Sequence, residues 1–236
     1  MPDLWYLDEL AECAARVLAC GGDGELYFVG RSGDSVHDLL SGALTDTTRL
    51  HLLPLSLGWV GSPRLRPMRL DETAQLRANL ADAGISPARF TRGRPVVFTD
   101  LVHSGGTFET FVALLRDWAS DDGVAWAEVR RRPRFLGITS REATSPKTWR
   151  WQQRADWTSD LPASAIRNVS LDGGVWHDLG NPQPKLTRSF TASAWPPRKS
   201  ARPTTTTRRA KRSPRLRRSS EPGARQRCAT AWSACW

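Results

Sequence analysis

The chain lacks any apolar run long enough to cross a membrane, because a helical span needs about 20 apolar residues. Its first four residues include an acid and do not form the basic and apolar leader of a secretory signal. Cysteine is scarce, and its four positions have neither zinc-ligand spacing nor the regularity of a disulfide framework: they are Cys13, Cys20, Cys228 and Cys235. We therefore predict a cytoplasmic protein with reduced thiols and no membrane partner.

Several catalytic patterns are also missing. The four histidines show no ligand spacing, which argues against a zinc site. Gly30 and Gly33 lack the third glycine of a dinucleotide-binding fingerprint. Ser104 lacks the elbow and the partner residues of a serine hydrolase. The sequence therefore predicts no dedicated metal ligands and argues against these enzyme classes.

Positive charge is unevenly distributed along the chain. The whole sequence carries a formal charge of +10, but residues 185–236 hold fourteen Lys or Arg and one acid, Glu221. Residues 1–184 hold twenty basic and twenty-three acidic residues, so this part is mildly acidic. The later stretch also contains no Ile, Val, Tyr, Met, Asn, Asp or His, and such a composition cannot bury enough apolar surface to fold. We predict one folded domain at 1–184 and a disordered tail, rich in Arg, Ser, Thr and Pro, at 185–236.

Two interpretations of this tail stay open. A disordered basic arm would bind nucleic acid through its Lys and Arg side chains. Alternatively, out-of-frame translation of a GC-rich gene would yield the same mixture of Arg, Pro, Ser, Ala, Thr, Trp and Cys. The scattered Trp232 and Trp236 favour that second origin. A nucleic-acid partner is expected only if the tail is genuine.

Short apolar segments alternate with amphipathic segments over the first 140 residues. Strands are predicted at 26–29, 50–57, 96–99 and 134–139, and helices at 4–18, 34–44, 71–83 and 108–118. Strands that are continuously apolar and alternate with helices are typical of a parallel sheet covered on both faces. We predict an α/β fold with three layers, α/β/α, around a central and mostly parallel sheet. From about residue 140 the pattern weakens; we expect a short strand or cover segment there, without defined bounds.

The most informative segment runs from residue 96 to residue 107. An apolar strand ends near Asp100, the chain turns, and a helical pattern begins at Phe108. Backbone N–H groups and hydroxyls at a helix N-terminus form a natural phosphate site. A carboxylate at the carboxyl end of a parallel strand lies where open α/β sheets bind ligands. The turn consists of Ser104, Gly105, Gly106 and Thr107.

This segment resembles the motif with which type I phosphoribosyltransferases bind phosphoribosyl pyrophosphate (PRPP). That motif has an apolar strand, two adjacent acids, two apolar residues and a Thr/Ser-Gly-x-Thr turn. The chain departs from it at Thr99, where the family usually has the first acid, and at His103, which is usually small. The positions that match are Asp100, Leu101, Val102, Ser104, Gly105 and Thr107.

The resemblance implies a role for each part of the motif. The turn from Ser104 to Thr107 would bind the 5-phosphate, with Thr99 and His103 beside the substrate. Asp100 would hold the ribose hydroxyls and stabilise the positive charge that develops on the ribose ring. Magnesium would be held mainly through the pyrophosphate of PRPP and water. A homodimer is left open.

A second glycine turn follows the first predicted core strand. In the family, the equivalent turn binds the pyrophosphate, and an arginine offers a forked donor for phosphate oxygens. On its own this sequence is also that of an ordinary turn; only its order before the 96–107 segment favours binding. It consists of Gly30, Arg31, Ser32 and Gly33.

Three further segments each have two interpretations. The loop at 59–69 is either a solvated loop or a mobile lid whose Arg64, Arg66 and Arg69 reach the pyrophosphate. The run at 130–132 is either a solvated edge or a contact to phosphate or nucleic acid. The tryptophans between residues 149 and 157 either cover an end of the sheet or stack on a base or a partner.

We therefore expect a protein that binds PRPP or a nucleoside 5′-phosphate. The first hypothesis is an enzyme that transfers ribose 5-phosphate to or from a nitrogen base with magnesium, with Asp100 as the catalytic residue. The alternative is a non-catalytic module on the same fold that senses PRPP or a nucleotide. The feature that separates the two is Thr99, which stands where the family has a carboxylate.

Overall fold

The structure is a computed structural model that describes residues 5–56, 69–144, 150–181, 183 and 190–191. Seven α-helices and four short 3-10 segments occur in these ranges. The 3-10 segments are Arg141–Thr144, Trp151–Arg154, Asp156–Asp160 and Ala163–Ala165. The α-helices are α1 (Leu7–Gly21), α2 (Asp34–Ala43), α3 (Leu70–Asp82), α4 (Pro87–Phe90), α5 (Gly106–Asp121), α6 (Trp126–Val129) and α7 (Gly173–Gly180).

Five strands form one parallel sheet, in the order β2-β1-β4-β5-β6. Two further strands, β3 and β7, pair in parallel as a separate small sheet. The α/β class and the parallel sheet that the sequence predicts are therefore confirmed. The strands are β1 (Glu25–Val29), β2 (Leu50–Leu53), β3 (Leu55–Ser56), β4 (Val96–Leu101), β5 (Pro133–Ser140), β6 (Ile166–Leu171) and β7 (Phe190–Thr191).

The buried apolar side chains form two clusters. Along each central strand, successive residues belong to the first and the second cluster in turn. In β4, Phe98 belongs to the first cluster and Val97 to the second. Because successive side chains of a strand point to opposite faces, the clusters lie on opposite faces of the sheet. Helices α3 and α5 contribute to the first cluster, and α1, α2 and α7 to the second.

The long strand predicted at 50–57 is divided at Pro54. Leu50–Leu53 pairs with β1, whereas Leu55–Ser56 pairs with β7. Proline has no N–H to donate to a sheet, so the ladder with β1 ends there. The carbonyl of Pro54 instead accepts a hydrogen bond from the N–H of Phe190, at 2.9 Å.

The sequence pattern does not locate strand β6 and helix α7, which both lie after residue 140. Strand β6 includes Arg167 and Asn168, so it lacks a continuous apolar run. Helix α7 begins after Asp172, whose carboxylate accepts from the N–H groups of Gly174 and Val175. An aspartate before two glycines is an ordinary helix start, so this signal was present in the sequence.

The structure describes two residues of the stretch that the sequence assigns to the tail. Phe190 and Thr191 form β7, and the Phe190 side chain packs against the first cluster. Gln183 is buried and accepts a hydrogen bond from the hydroxyl of Ser35, at 2.9 Å. The remaining tail residues, 185–189 and 192–236, lie outside the described residues. Both interpretations of the tail concern these residues.

Among the described helices, none is both long enough and apolar enough to span a bilayer.

Candidate functional site

The carboxyl ends of β1 and β4 lie side by side within the sheet. After β1 the chain enters α2, whose Val36 and Leu39 belong to the second cluster. After β4 it enters α5, whose Phe108 and Phe111 belong to the first. The chain thus leaves neighbouring strands toward opposite faces, which makes these two strand ends a topological switch point of the sheet, which we call the crevice. Open α/β sheets bind ligands in crevices of this kind, and both predicted glycine turns lie at this one.

The downstream turn shapes the start of α5. Gly105 is the residue before the helix and has a φ of 85°, a left-handed conformation that favours glycine. The N–H groups of the helix's first residues have no partner within the helix, so they can serve an anion. Ser104 is exposed, Gly105 and Gly106 are buried and Thr107 is half-buried. A phosphate at this turn would meet hydroxyls and backbone N–H groups together.

Thr99 and Asp100 lie on opposite faces of the sheet. Asp100 has the same parity as Phe98 and faces the first cluster; it is 7% exposed. Thr99 faces the second cluster, is fully buried, and its hydroxyl has no hydrogen-bond partner among the described residues. Of these two adjacent side chains, only Asp100 faces the side on which α5 begins.

The indole of Trp151 covers the first-cluster face beside Asp100. It packs against Gly105, and its Nε1 donates to Oδ1 of Asn168 at 2.7 Å. It also crosses Gly137, the residue paired with Asp100 in the sheet register, where an added Cβ would lie 3.1 Å from Nε1. Trp151 therefore connects the downstream turn to β5 and β6.

The covering interpretation of the tryptophans fits this arrangement for the two that the structure describes. Trp151 is buried, and its ring stacks on that of Trp157 with centroids 6.0 Å apart. Both rings also lie near Phe135 or Phe108 in the first cluster. Trp149 lies outside the described residues.

The upstream turn contains a glycine in a left-handed conformation and an exposed arginine. Gly30 has a φ of 72°, and Gly33 is the residue before α2. Arg31 is exposed, and the described part of the chain gives its guanidinium neither a hydrogen bond nor an ion pair. Ser32, between Arg31 and Gly33, is half-buried. This turn therefore carries an available arginine at the end of β1.

Asp34 is a site residue that sequence reasoning missed. It is the first residue of α2, directly after the upstream turn, and only 3% exposed. A carboxylate there suits the dipole of α2 but repels a bare anion at the turn. A buried acid at a strand end was visible in the sequence only as a helix start.

His103 lies at the mouth of the crevice. It is exposed, and its ring centroid is 6.3 Å from that of Trp176 on α7. The Nε1 of Trp176 donates to the carbonyl of Ile138 at 2.9 Å, which fixes the indole at the end of β5. The exposed imidazole therefore has an aromatic neighbour on the second-cluster face.

The predicted lid is described only at its last residue. Arg69 is exposed and forms ion pairs with Asp71 at 2.9 Å and Glu72 at 3.8 Å. Arg64 and Arg66 lie outside the described residues. The one described arginine of this loop thus already has carboxylate partners at the start of α3.

A small polar cavity of about 170 Å³ lies on β6 beside Trp151. Within it, Nδ2 of Asn168 donates to Oε1 of Gln152 at 3.0 Å. Side-chain amides offer both donors and acceptors to a ligand. The other residues that line the cavity are Arg150, Ile166 and Ser170.

No group of three His, Cys, Asp or Glu side chains placed to hold a metal ion occurs among the described residues. The carboxylates nearest the crevice, Asp34 and Asp100, come from different strand ends.

The chain matches no protein-family model, no curated protein and no solved structure.

Proposed function

We propose that the chain is a phosphoribosyltransferase-like protein, with the three-layer fold of the type I family, that binds PRPP or a nucleoside 5′-phosphate. The observation that carries the proposal is the pair of glycine turns at the carboxyl ends of β1 and β4, where the chain leaves toward opposite faces. A ribose with phosphates at both its 5- and 1-positions needs two anion sites separated by a sugar site. Two turns on adjacent strands, with Asp100 near the end of β4, suit that shape.

The 5-phosphate would bind at the turn from Ser104 to Thr107. Its oxygens would accept from the free N–H groups at the start of α5 and from the two hydroxyls. The dipole of a 16-residue helix lies behind this turn and contributes of order 0.3–2 kcal/mol per charge, depending on burial.

The pyrophosphate would bind at the upstream turn, with Arg31 as a forked donor. Because Asp34 is negative and adjacent, the turn suits a magnesium–pyrophosphate complex better than the free anion. Magnesium would neutralise the pyrophosphate and improve it as a leaving group.

In the transfer reaction, the bond between ribose C1 and the pyrophosphate oxygen breaks, and the pyrophosphate leaves with the bonding electrons. A ring nitrogen of the base forms the new bond to C1. It loses its proton to solvent or to a group that lies beside the base. Positive charge develops on the ribose ring between these events. The carboxylate of Asp100 would hold the ribose hydroxyls and stabilise that charge.

Non-catalytic PRPP or nucleotide sensing is the second candidate. It is favoured by Thr99, because a buried threonine facing away from Asp100 supplies no second carboxylate. Electrostatic stabilisation would be weakened while both anion sites remain. Release of pyrophosphate from PRPP with any of a panel of purine and pyrimidine bases would favour the enzyme. Binding without release across the panel would favour the sensor.

Calorimetric titration of the full chain with PRPP tests the proposal. We expect saturable heat with magnesium and at least tenfold weaker binding with EDTA. Arg31→Gln and Asp100→Asn should each weaken binding at least tenfold. Arg92→Gln removes an equally exposed arginine from the opposite edge of the sheet and should leave binding unchanged. Wild-type protein that gives no heat, or equal losses for Arg31→Gln and Arg92→Gln, would overturn the proposal.

A further inference from the structure

The amino-terminal edge of the sheet, opposite the crevice, gathers arginines from four separate segments of the chain. One precedes β2, two precede β4, three lie just before or within the start of β5, and one lies at the start of β6. Because all five strands are parallel, their amino ends meet at the same edge. This set, which we call the arginine edge, consists of Arg49, Arg92, Arg94, Arg131, Arg132, Arg134 and Arg167.

Contacts at this edge show that the segments are close in space. Arg132 donates to the carbonyl of Gly93 at 3.4 Å, which joins the approach to β5 with the approach to β4. Arg49 donates to the carbonyl of Gly22, at the end of α1. Arg134 and Arg167 line one cavity of about 260 Å³ at the amino ends of β4, β5 and β6.

The positive charge of the arginine edge is not neutralised by direct ion pairs. Within the described ranges, none of its seven guanidinium groups lies within 4.0 Å of a carboxylate, whereas Arg77, Arg116 and Arg141 elsewhere each do. Burial lowers the pKa of Arg134, and the positive charges of Arg167 and Arg132 lower it further. The arginines therefore repel one another across the edge.

The acids near the edge are few. Asp46 accepts from the N–H and hydroxyl of Thr48, and Glu25 pairs with His51 at 2.6 Å. Asp23 lines the same cavity as Arg134. Four of the arginines are exposed in front of β4 and β5, and the seven arginines of the edge outnumber these acids.

We propose that the arginine edge binds the phosphate backbone of a nucleic acid duplex. The edge runs from β2 to β6 across four strand spacings, about 19 Å at ~4.8 Å each. Along the axis of a duplex each strand carries one phosphate per ~3.4 Å, so a length of about 19 Å holds five or six phosphates of each strand. Arginine forks bind phosphate oxygens in pairs.

The arginine edge recognises the charge and shape of the duplex rather than its base sequence. Among the described residues, the large apolar side chains that are exposed are Trp5 and Leu70, and neither belongs to the arginine edge. The described part of the arginine edge therefore offers no exposed aromatic ring on which an unpaired base could stack. The binding is therefore independent of sequence and strongly dependent on salt. It uses a surface opposite the proposed PRPP crevice and does not rest on that function.

Fluorescence anisotropy with a labelled 20-base-pair DNA duplex, measured on the full chain over a range of salt concentrations, tests this inference. The edge variant replaces the four exposed arginines in front of β4 and β5, Arg92, Arg94, Arg131 and Arg132, with glutamine. We expect it to bind at least tenfold more weakly at 50 mM salt. Its slope of log affinity against log salt should fall by about 3 to 4, because each lost phosphate contact contributes about 0.9.

Two matched variants separate the edge from other sources of charge. The first removes four exposed arginines elsewhere by Arg69→Gln, Arg116→Gln, Arg141→Gln and Arg154→Gln, and should change the slope by less than 1. The second neutralises the tail cluster at Arg208, Arg209, Lys211 and Arg212. In this background the edge substitutions should weaken duplex binding by the same factor as in the wild-type chain.

Three outcomes would overturn the inference. The edge variant could lose no more affinity than the first control, and the loss would then come from net charge alone. The tail variant could abolish binding while the edge variant retains it. The wild-type chain could bind vesicles of anionic lipid and not the duplex. Circular dichroism and urea unfolding of each variant verify that differences in binding do not come from differences in folding.

Discussion

Trp151 and Gly105 are in direct contact: a Cβ built on Gly105 would lie 2.6 Å from Cζ3 of the indole. The glycine thus serves two purposes at once. It permits the left-handed backbone that starts α5, and it leaves room for a buried ring from a segment 46 positions further along the chain. The shape of the proposed phosphate turn depends on both.

Gly105→Ala should therefore destabilise the protein more than a glycine replacement that strains the backbone alone. Gly123→Ala is the matched control, because Gly123 has a φ of 66° and open space around it. We expect a loss of about 1 kcal/mol for Gly123→Ala, and of about 2–4 kcal/mol for Gly105→Ala, where overpacking adds to the strain. Urea unfolding measures both, and equal losses would contradict the contact.

The hydrogen bond of Trp151 should be measurable by comparison with Trp157. The Nε1 of Trp151 donates to Asn168, whereas the buried Nε1 of Trp157 has no partner among the described residues. Trp151→Phe should cost about 1–2 kcal/mol more unfolding free energy than Trp157→Phe, because only the first leaves a half-buried amide oxygen without its donor. Denaturant unfolding of the two variants decides this, and a smaller cost for Trp151→Phe would count against it.

Replacement of Thr99 by an isosteric apolar residue should stabilise the fold. Thr99→Val removes a buried hydroxyl without a partner and should raise the unfolding free energy by about 1 kcal/mol. Thr99→Ser keeps the hydroxyl, loses a methyl group and should lower it by about 1 kcal/mol. Thr99→Asp buries an unpaired charge and should cost more than about 3 kcal/mol. Thermal and urea unfolding test the order Val, Thr, Ser, Asp.

This result bears on the choice between enzyme and sensor. Restoring the family's acid at residue 99 would lower stability, so a loss of activity in Thr99→Asp would not argue for either function. Thr99→Val, by contrast, should leave PRPP affinity unchanged if this side chain does not contact the ligand. A large loss of affinity in that variant, with stability raised, would instead assign the Thr99 hydroxyl to the site.

Stability should fall at alkaline pH because of Cys13. Burial raises the pKa of its thiol from 9.0 to about 12. Between these values the unfolded chain releases the thiol proton while the folded chain keeps it, so stability is lost as pH rises from about 9 toward 12. In Cys13→Ala this loss should shrink by up to ~1.4 kcal/mol per pH unit. Urea unfolding of both proteins from pH 7 to 11 measures it, and parallel curves would contradict the assignment.

The folded part should extend past the boundary at residue 184. Truncation after residue 192 keeps the Ser35–Gln183 hydrogen bond and the β3–β7 pair, and should leave the unfolding free energy within ~0.5 kcal/mol of the full chain. Truncation after residue 180 removes both and should cost about 2–4 kcal/mol. Differential scanning calorimetry of the two fragments distinguishes them, and equal melting temperatures would place the boundary near residue 180.

The part of the fold that is predictable from sequence is the part set by local patterns. Strands β1, β4 and β5 are short apolar runs, and the glycines at residues 30 and 105 mark turns by their chemistry alone. Parallel pairing follows from the alternation of strands with helices. These signals bring the two turns to one sheet edge without any knowledge of long-range contacts.

The rest depends on contacts between distant segments. Nothing near Trp151 in the sequence indicates that its ring packs on Gly105 and Gly137. Strand β6 escapes prediction because its polar residues, Arg167 and Asn168, break the apolar run. The arginine edge is likewise dispersed over more than a hundred positions and becomes one surface only when the strands are aligned.

The position of β4 within the sheet also has a kinetic consequence. Pairing of β1 with β4 joins positions about seventy residues apart, and non-local pairing of this kind slows folding. Until β4 inserts between β1 and β5, the two glycine turns are not neighbours and the crevice does not exist. A ligand of the crevice would therefore recognise the native state and not an earlier intermediate. It would act by slowing unfolding, with little effect on the rate at which the chain folds.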